Sequence, residues 1–342
     1  MITGENSIES RYPLTDELSG AIRDALETRR DGILPVSQGG TLHYEVLGEG
    51  DECLVLANGL GGRLYTWLPL IEQLAPTMKI ITWDYRGLFD SDQASTSSLS
   101  VSQHAEDLAE ILKAEKITCA HLCGWSMGVQ VSLEFSARYP SKVLSLCLIN
   151  GTYGQVFSTA FQPWLRVPAP TWMLHEIIEG LRAFEGVTKL GLRLVKVPVE
   201  ALWWFRSRAA RLPMLTLAAR QYCQDLFTGE HLPAYLRLFQ QLDAHSAYHL
   251  LPEIEAPTLI ISGGLDFLTP PYQSRQIARR MPDAQHQLII LGSHFVLLEQ
   301  PKRVTRLVIS ILNQQTLRQV KHISYRIIDN FASHLCVKGS NT

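Results

Sequence analysis

The sequence predicts an α/β fold, a mainly parallel sheet of about eight strands flanked by helices, with a helical cap inserted after the sixth strand. Three observations predict it. Short apolar runs of strand length alternate with amphipathic helical stretches over most of the chain. The chain leaves several of these runs through loops carrying glycine, serine or acidic residues, as strands of an open parallel sheet do at their carboxyl ends. The alternation lapses between Gly151 and Leu250, where helical, aromatic patterning is broken by Pro163, Pro168, Pro170, Pro198 and Pro213.

Taken in order, residues 1–32 read as an N-terminal helical extension in which Pro13 to Arg30 carries Leu14, Leu18, Ile22 and Leu26 at helical spacing. Strands Ile33 to Val36 and Thr41 to Leu47 follow, joined through the Gly39-Gly40 turn signal. Cys53 to Ala57 is a strand of buried type that runs into Asn58-Gly59-Leu60-Gly61-Gly62, and a helix follows from Leu64 to Leu74. The strand Ile80 to Trp83 ends at Asp84-Tyr85-Arg86-Gly87, before a Ser/Thr-rich loop and a helix from Val101 to Glu115. The strand His121 to Gly124 enters the stretch Gly124-Trp125-Ser126-Met127-Gly128, a helix starts at Val129, and Val143 to Ile149 is the sixth strand. After the cap, 151–250, come the strand Thr258 to Ser262, the loop to Asp266, a helix from Pro271, the strand Leu288 to Leu291, the loop to His294, and a helix from Pro301 to Leu312. The α/β core is thus expected over 33–150 and 251–313, with a polar tail at 314–342 to which no role is assigned.

Composition narrows the function. At 342 residues, 46% hydrophobic and 19% charged, the chain can bury one large core plus an insertion. A formal net charge of −2, from 31 basic and 33 acidic residues, gives no electrostatic basis for a nucleic-acid partner. Residues 1–32 are polar with mixed charge, so neither an apolar leader nor a spanning segment is visible and cytoplasmic residence is expected. The six cysteines lie mostly inside apolar runs and suggest buried thiols rather than a disulfide framework.

The chemistry centres on Gly124-Trp125-Ser126-Met127-Gly128, a strand, a sharp turn and a helix with serine at the apex. The outer glycines fit a turn too tight for side chains, and Met127 would offer its N–H to an oxyanion. A serine hydroxyl is a weak nucleophile at neutral pH, so it needs a base to take its proton and a carboxylate to orient that base. His294 and Asp266 sit at the ends of later strand-like runs, and the chain order serine, acid, histidine is the one expected of such an elbow.

Other groupings have plainer readings. Cys119, His121 and Cys123 alternate along one strand, which spreads their Cα atoms over about 13 Å, too far to close easily on one zinc. His245 and His249 have helical ligand spacing but no third partner nearby. Asp84 and Asp90 are alternative acids, but Asp84 precedes the elbow strand, the wrong side for this topology. Trp125 could line an acyl pocket or pack under the cap. Leu202-Trp203-Trp204-Phe205 with Arg206, Arg208 and Arg211 reads as cap interior with a solvated basic edge, with membrane contact as the minor alternative.

These motifs resemble those of the α/β-hydrolase fold family, in its capped branch of esterases, lipases and related hydrolases, from Thr41 to Leu312. Pro257 to Gly263 is similar to the strand that leads to the family's acid, and Asp84-Tyr85-Arg86-Gly87 to its structural loop. The resemblance implies Ser126 as nucleophile, Asp266 as acid, His294 as general base, and the Leu60 and Met127 amides as the oxyanion hole. Asn58, Gly59, Trp125 and Phe295 are the candidate pocket residues. The sequence departs from the family at Asn58, where histidine is usual, and at Val129, where a second glycine is frequent. The implied activity is a serine esterase cleaving a carboxylic ester of a hydrophobic small molecule, without metal or organic cofactor. Thioesterase, carbon–carbon bond hydrolase and haloperoxidase-like perhydrolase activities share the same triad, and a non-catalytic ligand-binding module shares the fold. Oligomeric state is not readable from the sequence.

Overall fold

The computed structural model describes residues 19–36, 40–92, 99–156, 160, 171–196, 213–227 and 229–313. The aromatic and basic run 202–211, the first six residues (13–18) of the expected N-terminal helix and the tail lie outside the described residues.

Eight strands make one sheet: β1 (Arg30–Pro35), β2 (Thr41–Leu47), β3 (Cys53–Ala57), β4 (Lys79–Trp83), β5 (Ala120–Trp125), β6 (Val143–Ile149), β7 (Thr258–Gly263) and β8 (Ala284–Ile289), in the order β1-β2-β4-β3-β5-β6-β7-β8. Only β2 runs antiparallel to its neighbours β1 and β4; from β4 to β8 every pairing is parallel. Helices follow in chain order: α1 (Gly20–Glu27), α2 (Leu68–Leu74), α3 (Val101–Ala114), α4 (Met127–Arg138), α5 (Thr171–Ala183), α6 (185–196), α7 (Pro213–Phe227), α8 (Leu232–Ala244), α9 (Pro271–Arg280), α10 (Val296–Glu299) and α11 (301–313).

The parallel strands are apolar throughout because both faces of the sheet are covered, and side chains alternate between them. Val55, Leu122, Leu148 and Ile260 face a core shared with α3, α4, α8 and α9. Leu54, Leu56, Cys123, Cys147 and Ile261 face a second core shared with α1, α2, α10 and α11. The helices between β6 and β7 reach both: Ala218 of α7 joins the second core and Tyr235 and Leu238 of α8 the first. No helix among the described residues is long and apolar enough to cross a membrane.

Three elements differ from the sequence expectation. The expected helix to Arg30 ends at Glu27, where the Thr28 hydroxyl bonds back to the Asp24 carbonyl at 2.8 Å and β1 begins at Arg30. The helix after β3 opens as a 3₁₀ turn, Leu64–Trp67, and becomes α-helical only at Leu68, with Pro69 in its first turn, where proline's missing N–H costs nothing. The last strand is Ala284–Ile289, not the apolar Leu288 to Leu291; β8 is an edge strand with polar, half-exposed residues, and Ile290 and Leu291 lie beyond it at 70% and 71% exposure.

Candidate active site

The turn after β5 is as tight as its glycines suggest. Ser126 sits at φ 55°, ψ −112°, a conformation that L-residues other than glycine seldom adopt. Its N–H donates to the Ile149 carbonyl at 3.0 Å, which ties the apex to the end of β6. A Cβ at Gly124 would lie 2.4 Å from the Gly128 carbonyl oxygen, and one at Gly128 would lie 2.0 Å from that of Ala57, so neither position accepts a side chain. The missing glycine at Val129 is offset at Gly151, whose absent Cβ would sit 2.3 Å from that of Val129.

The loops after β7 and β8 bring the acid and the imidazole to this turn. The Ser126 hydroxyl lies 2.9 Å from His294 Nε2, and His294 Nδ1 lies 2.9 Å from Asp266 Oδ2. Asp266 is buried and also accepts from the Leu268 and Thr269 N–H groups and, at 2.7 Å, from the Thr269 hydroxyl. With its oxygens spent on fixed donors, the carboxylate can hold Nδ1–H and leave Nε2 as an acceptor toward the serine.

Three residues not singled out in the sequence hold the histidine and its acid. Asn150, itself at φ 44° after β6, donates to the Ser293 carbonyl at 2.6 Å and accepts from the Gly263 N–H at 2.7 Å. It thereby ties β7 to the loop of His294. Glu299 accepts from the Ser293 N–H at 2.7 Å and from its hydroxyl at 2.8 Å. Thr269 bonds Asp266. Trp125 joins them, its indole N–H donating to the His294 carbonyl at 3.0 Å. The available signal was position alone: Asn150 and Thr269 stand at or just beyond the carboxyl ends of strands.

Two of the expected pocket residues prove to be frame. Asn58 is 1% exposed; its amide nitrogen donates to the Thr82 hydroxyl and Trp83 carbonyl, and its oxygen accepts from the Trp67 indole at 2.7 Å. A polar residue ending β3 without solvent must satisfy both ends of its amide, and here it stitches β3 to β4. Trp125 is equally buried, its ring against Gly59, whose Cβ would fall 2.6 Å from ring carbon Cε3. Phe295 is half-buried, edge-on to Tyr222 of α7 and to His294, with centroids 5.5 and 5.7 Å apart. The Leu60 and Met127 N–H groups find no acceptor among the described residues.

The other candidate groups are structural. Asp84 accepts from Arg63 at 3.1 Å and bonds His43 Nδ1 at 2.9 Å, and Arg63 also bonds Asp90 at 2.7 Å. Burial alone would raise the Asp84 carboxyl, but Arg63 and His43 hold it below its ordinary value. His43, Asp84 and Asp90 have ligand atoms within 4.8 Å of one another, the one such group among the described residues, but Arg63 already supplies the cation. His121 is buried against Ser145 at 2.7 Å, and burial lowers it to about 4, as suits a neutral core imidazole. α8 ends at Ala244, so His245 and His249 share no helix; His245 bonds Gln130 and Glu134 of α4 instead. The His245 contact holds the Glu134 carboxyl down at about 2.

A family model for the alpha/beta hydrolase fold matches residues 52–301. The chain belongs to the α/β-hydrolase fold family. Its relatives include proteins named as the carbamate hydrolase RutD: one from Stutzerimonas stutzeri is 28% identical over 74% of this chain and 89% of its own, and one from Pantoea ananatis is 26% identical over 80% and 94%. Among solved structures, a hydrolase from Pseudomonas aeruginosa superposes with a TM-score of 0.67 at 21% identity, covering 83% of this chain and 98% of that one. The enol-lactonase from Burkholderia xenovorans does so at 0.64 and 24% identity, covering 82% and 100%. At such identities the likeness is one of fold. The protein is therefore an α/β hydrolase, with Ser126, His294 and Asp266 in line at the carboxyl ends of β5, β8 and β7.

Proposed function

We propose that the protein is a serine hydrolase that cleaves the carboxylic ester of a hydrophobic small molecule through an acyl-enzyme. What carries the reading is the unbroken line Ser126 Oγ, His294 Nε2, His294 Nδ1, Asp266 Oδ2, with 2.9 Å at each hydrogen bond. In this reading Ser126 attacks the acyl carbon as its proton passes to His294. The Leu60 and Met127 N–H groups receive the charge that develops on the carbonyl oxygen. His294 then returns the proton to the departing alcohol. Water, deprotonated by His294, attacks the acyl-serine, and collapse of the second tetrahedral intermediate frees the acid and restores the serine. No step calls for a metal or an organic cofactor.

The division proposed with this function is a core of 33–150 and 251–313 carrying the chemistry and a cap, 151–250, selecting the substrate. The apolar and aromatic character of that segment supports a hydrophobic substrate. Free cysteines, four of the five described being buried, support residence in the reducing cytoplasm. A carbamate is the second reading, favoured by relatives at 25–28% identity named for that reaction. Thioesters and carbon–carbon bonds are served by the same residues.

A fluorophosphonate probe and a panel of p-nitrophenyl esters, thioesters, carbamates, lactones and ring-fission diketones test the proposal. Labelling that vanishes in Ser126→Ala, with ester turnover leading the panel, is expected. A folded wild type that takes no label would favour a non-catalytic binding module, and carbamate turnover above ester turnover would replace the substrate class.

A further inference from the structure

The loop leaving β3 has every carbonyl from residue 58 to 61 bonded. The Asn58 carbonyl accepts from the Tyr85 hydroxyl at 2.7 Å, Gly59 from the Gly62 N–H at 2.9 Å, Leu60 from the Tyr222 hydroxyl at 2.9 Å, and Gly61 from the Tyr65 hydroxyl at 3.2 Å. The N–H and C=O of a trans peptide point in opposite directions. The Gly59 carbonyl is turned into the Gly62 N–H, so the Leu60 N–H of the same peptide is aimed out of the turn, where it meets no acceptor among the described residues. Three donors come from the core: the loop after β4, the 3₁₀ turn before α2 and the loop itself. The fourth, Tyr222, comes from α7, 162 residues away in the chain and between β6 and β7.

Tyr222 also stands over the other half of the triad's frame. Its ring meets Phe295 edge-on at 5.5 Å and Trp125 at 6.2 Å, and Trp125 holds the His294 carbonyl. Burial raises its phenol above the ordinary range, so the hydroxyl stays a neutral donor.

We infer that Tyr222 is a positioning residue through which the inserted helices set the oxyanion loop: its hydroxyl fixes the Leu60 carbonyl and the peptide plane that follows Leu60, the Gly62 N–H fixes the plane before it, and the two holds on either side of the Leu60 Cα keep in place the Leu60 N–H that receives the developing charge. This rests on the hydrolytic reading above. The consequence is that the loop is complete only when α7 is seated, so binding under the inserted helices and transition-state stabilisation are coupled. Tyr222→Phe keeps the ring against Phe295 and Trp125 and removes the hydrogen bond alone. Tyr235→Phe is the matched comparison: Tyr235 OH would lie 2.8 Å from a Gly61 Cβ, against the same loop, and bonds nothing among the described residues.

The test measures kcat, KM and thermal stability of the full-length wild type, both phenylalanine variants and Ser126→Ala on p-nitrophenyl butyrate, with inhibition by phenylboronic acid, which forms a tetrahedral adduct with the serine. Tyr222→Phe is expected to lower kcat about tenfold with KM within about twofold, and to weaken the boronate by a similar factor. Tyr235→Phe is expected to match wild type. A Tyr222→Phe kcat within about twofold of wild type, a rise in KM alone, or equal losses in both variants would overturn the inference. Ser126-dependent turnover in the wild type with an unimpaired Tyr222→Phe leaves the hydrolytic reading standing; absence of Ser126-dependent turnover overturns both.

Discussion

Asn150→Ala is expected to damage both the fold and the turnover, by an amount set by the hydrogen bonds and backbone conformation of that one residue. The side chain is fully buried and makes two hydrogen bonds, to the Gly263 N–H and the Ser293 carbonyl. The Ser293 carbonyl keeps a second donor, the Val296 N–H at 3.1 Å, so removing the first costs about 1 kcal/mol. Gly263 is left with a buried, unpaired N–H, worth about 1–3 kcal/mol. Alanine at φ 44° adds about 1–2 kcal/mol that asparagine largely avoids. Together these give about 3–6 kcal/mol, or a fall in Tm of about 10 °C for a domain of this size. Asn150→Gly relieves the backbone but not the bonds and should recover about 1 kcal/mol of the loss. Urea and thermal unfolding measure the stability; kcat at a temperature below every transition measures the site, where freedom of Ser293 passes directly to His294. An Asn150→Ala protein within about 1 kcal/mol of wild type and with wild-type kcat would refute the reasoning.

Ser126→Ala and His294→Ala are each expected to reduce kcat by several orders of magnitude, and the double variant to lose little more, because the residues act as one unit; multiplicative losses in steady-state kinetics would contradict that. Gly128→Ala is expected to cost about 3 kcal/mol or more, or to prevent soluble expression, since its Cβ would meet the Ala57 carbonyl at 2.0 Å and both neighbours are backbone-fixed. Burial disfavours the His43 imidazolium, yet hydrogen bonds to Asp31 and Asp84 raise it from 6.5 to about 9. A raised value means stability that is complete below the unfolded value of 6.5 and drains away as pH climbs to about 9. The unfolding midpoint is expected to fall across that window by the equivalent of about 1–3 kcal/mol, and His43→Gln to flatten the profile.

Much of this was legible in the chain. The elbow stands out because few folds need glycine on both sides of a serine between a strand and a helix, and Asp266 and His294 because polar residues at the ends of apolar strands have little structural reason to be there. What stayed hidden depends on partners far apart in sequence. Nothing local marks Tyr65, Tyr85 and Tyr222 as donors to one loop, or Glu299 as the acceptor for Ser293. Asn58 stands out as a departure from the family's histidine, yet its contacts with Trp67 and Thr82 give it a framing task that a single sequence cannot display. The place of β8 is obscured because an edge strand with one wet side carries polar residues, while the apolar Ile290 and Leu291 beside it lie outside the sheet.

β6 and β7 are hydrogen-bonded neighbours, although over a hundred residues separate them in the chain. A segment spliced between adjacent strands leaves and re-enters the scaffold at nearly the same spot, so it can be lengthened, shortened or exchanged without disturbing the pairing on either side. If that segment selects the substrate, as proposed above, transplanting it whole would be the route to a new specificity. Any graft would still have to bring a hydroxyl to the place Tyr222 now occupies, and that one requirement narrows which donors can serve.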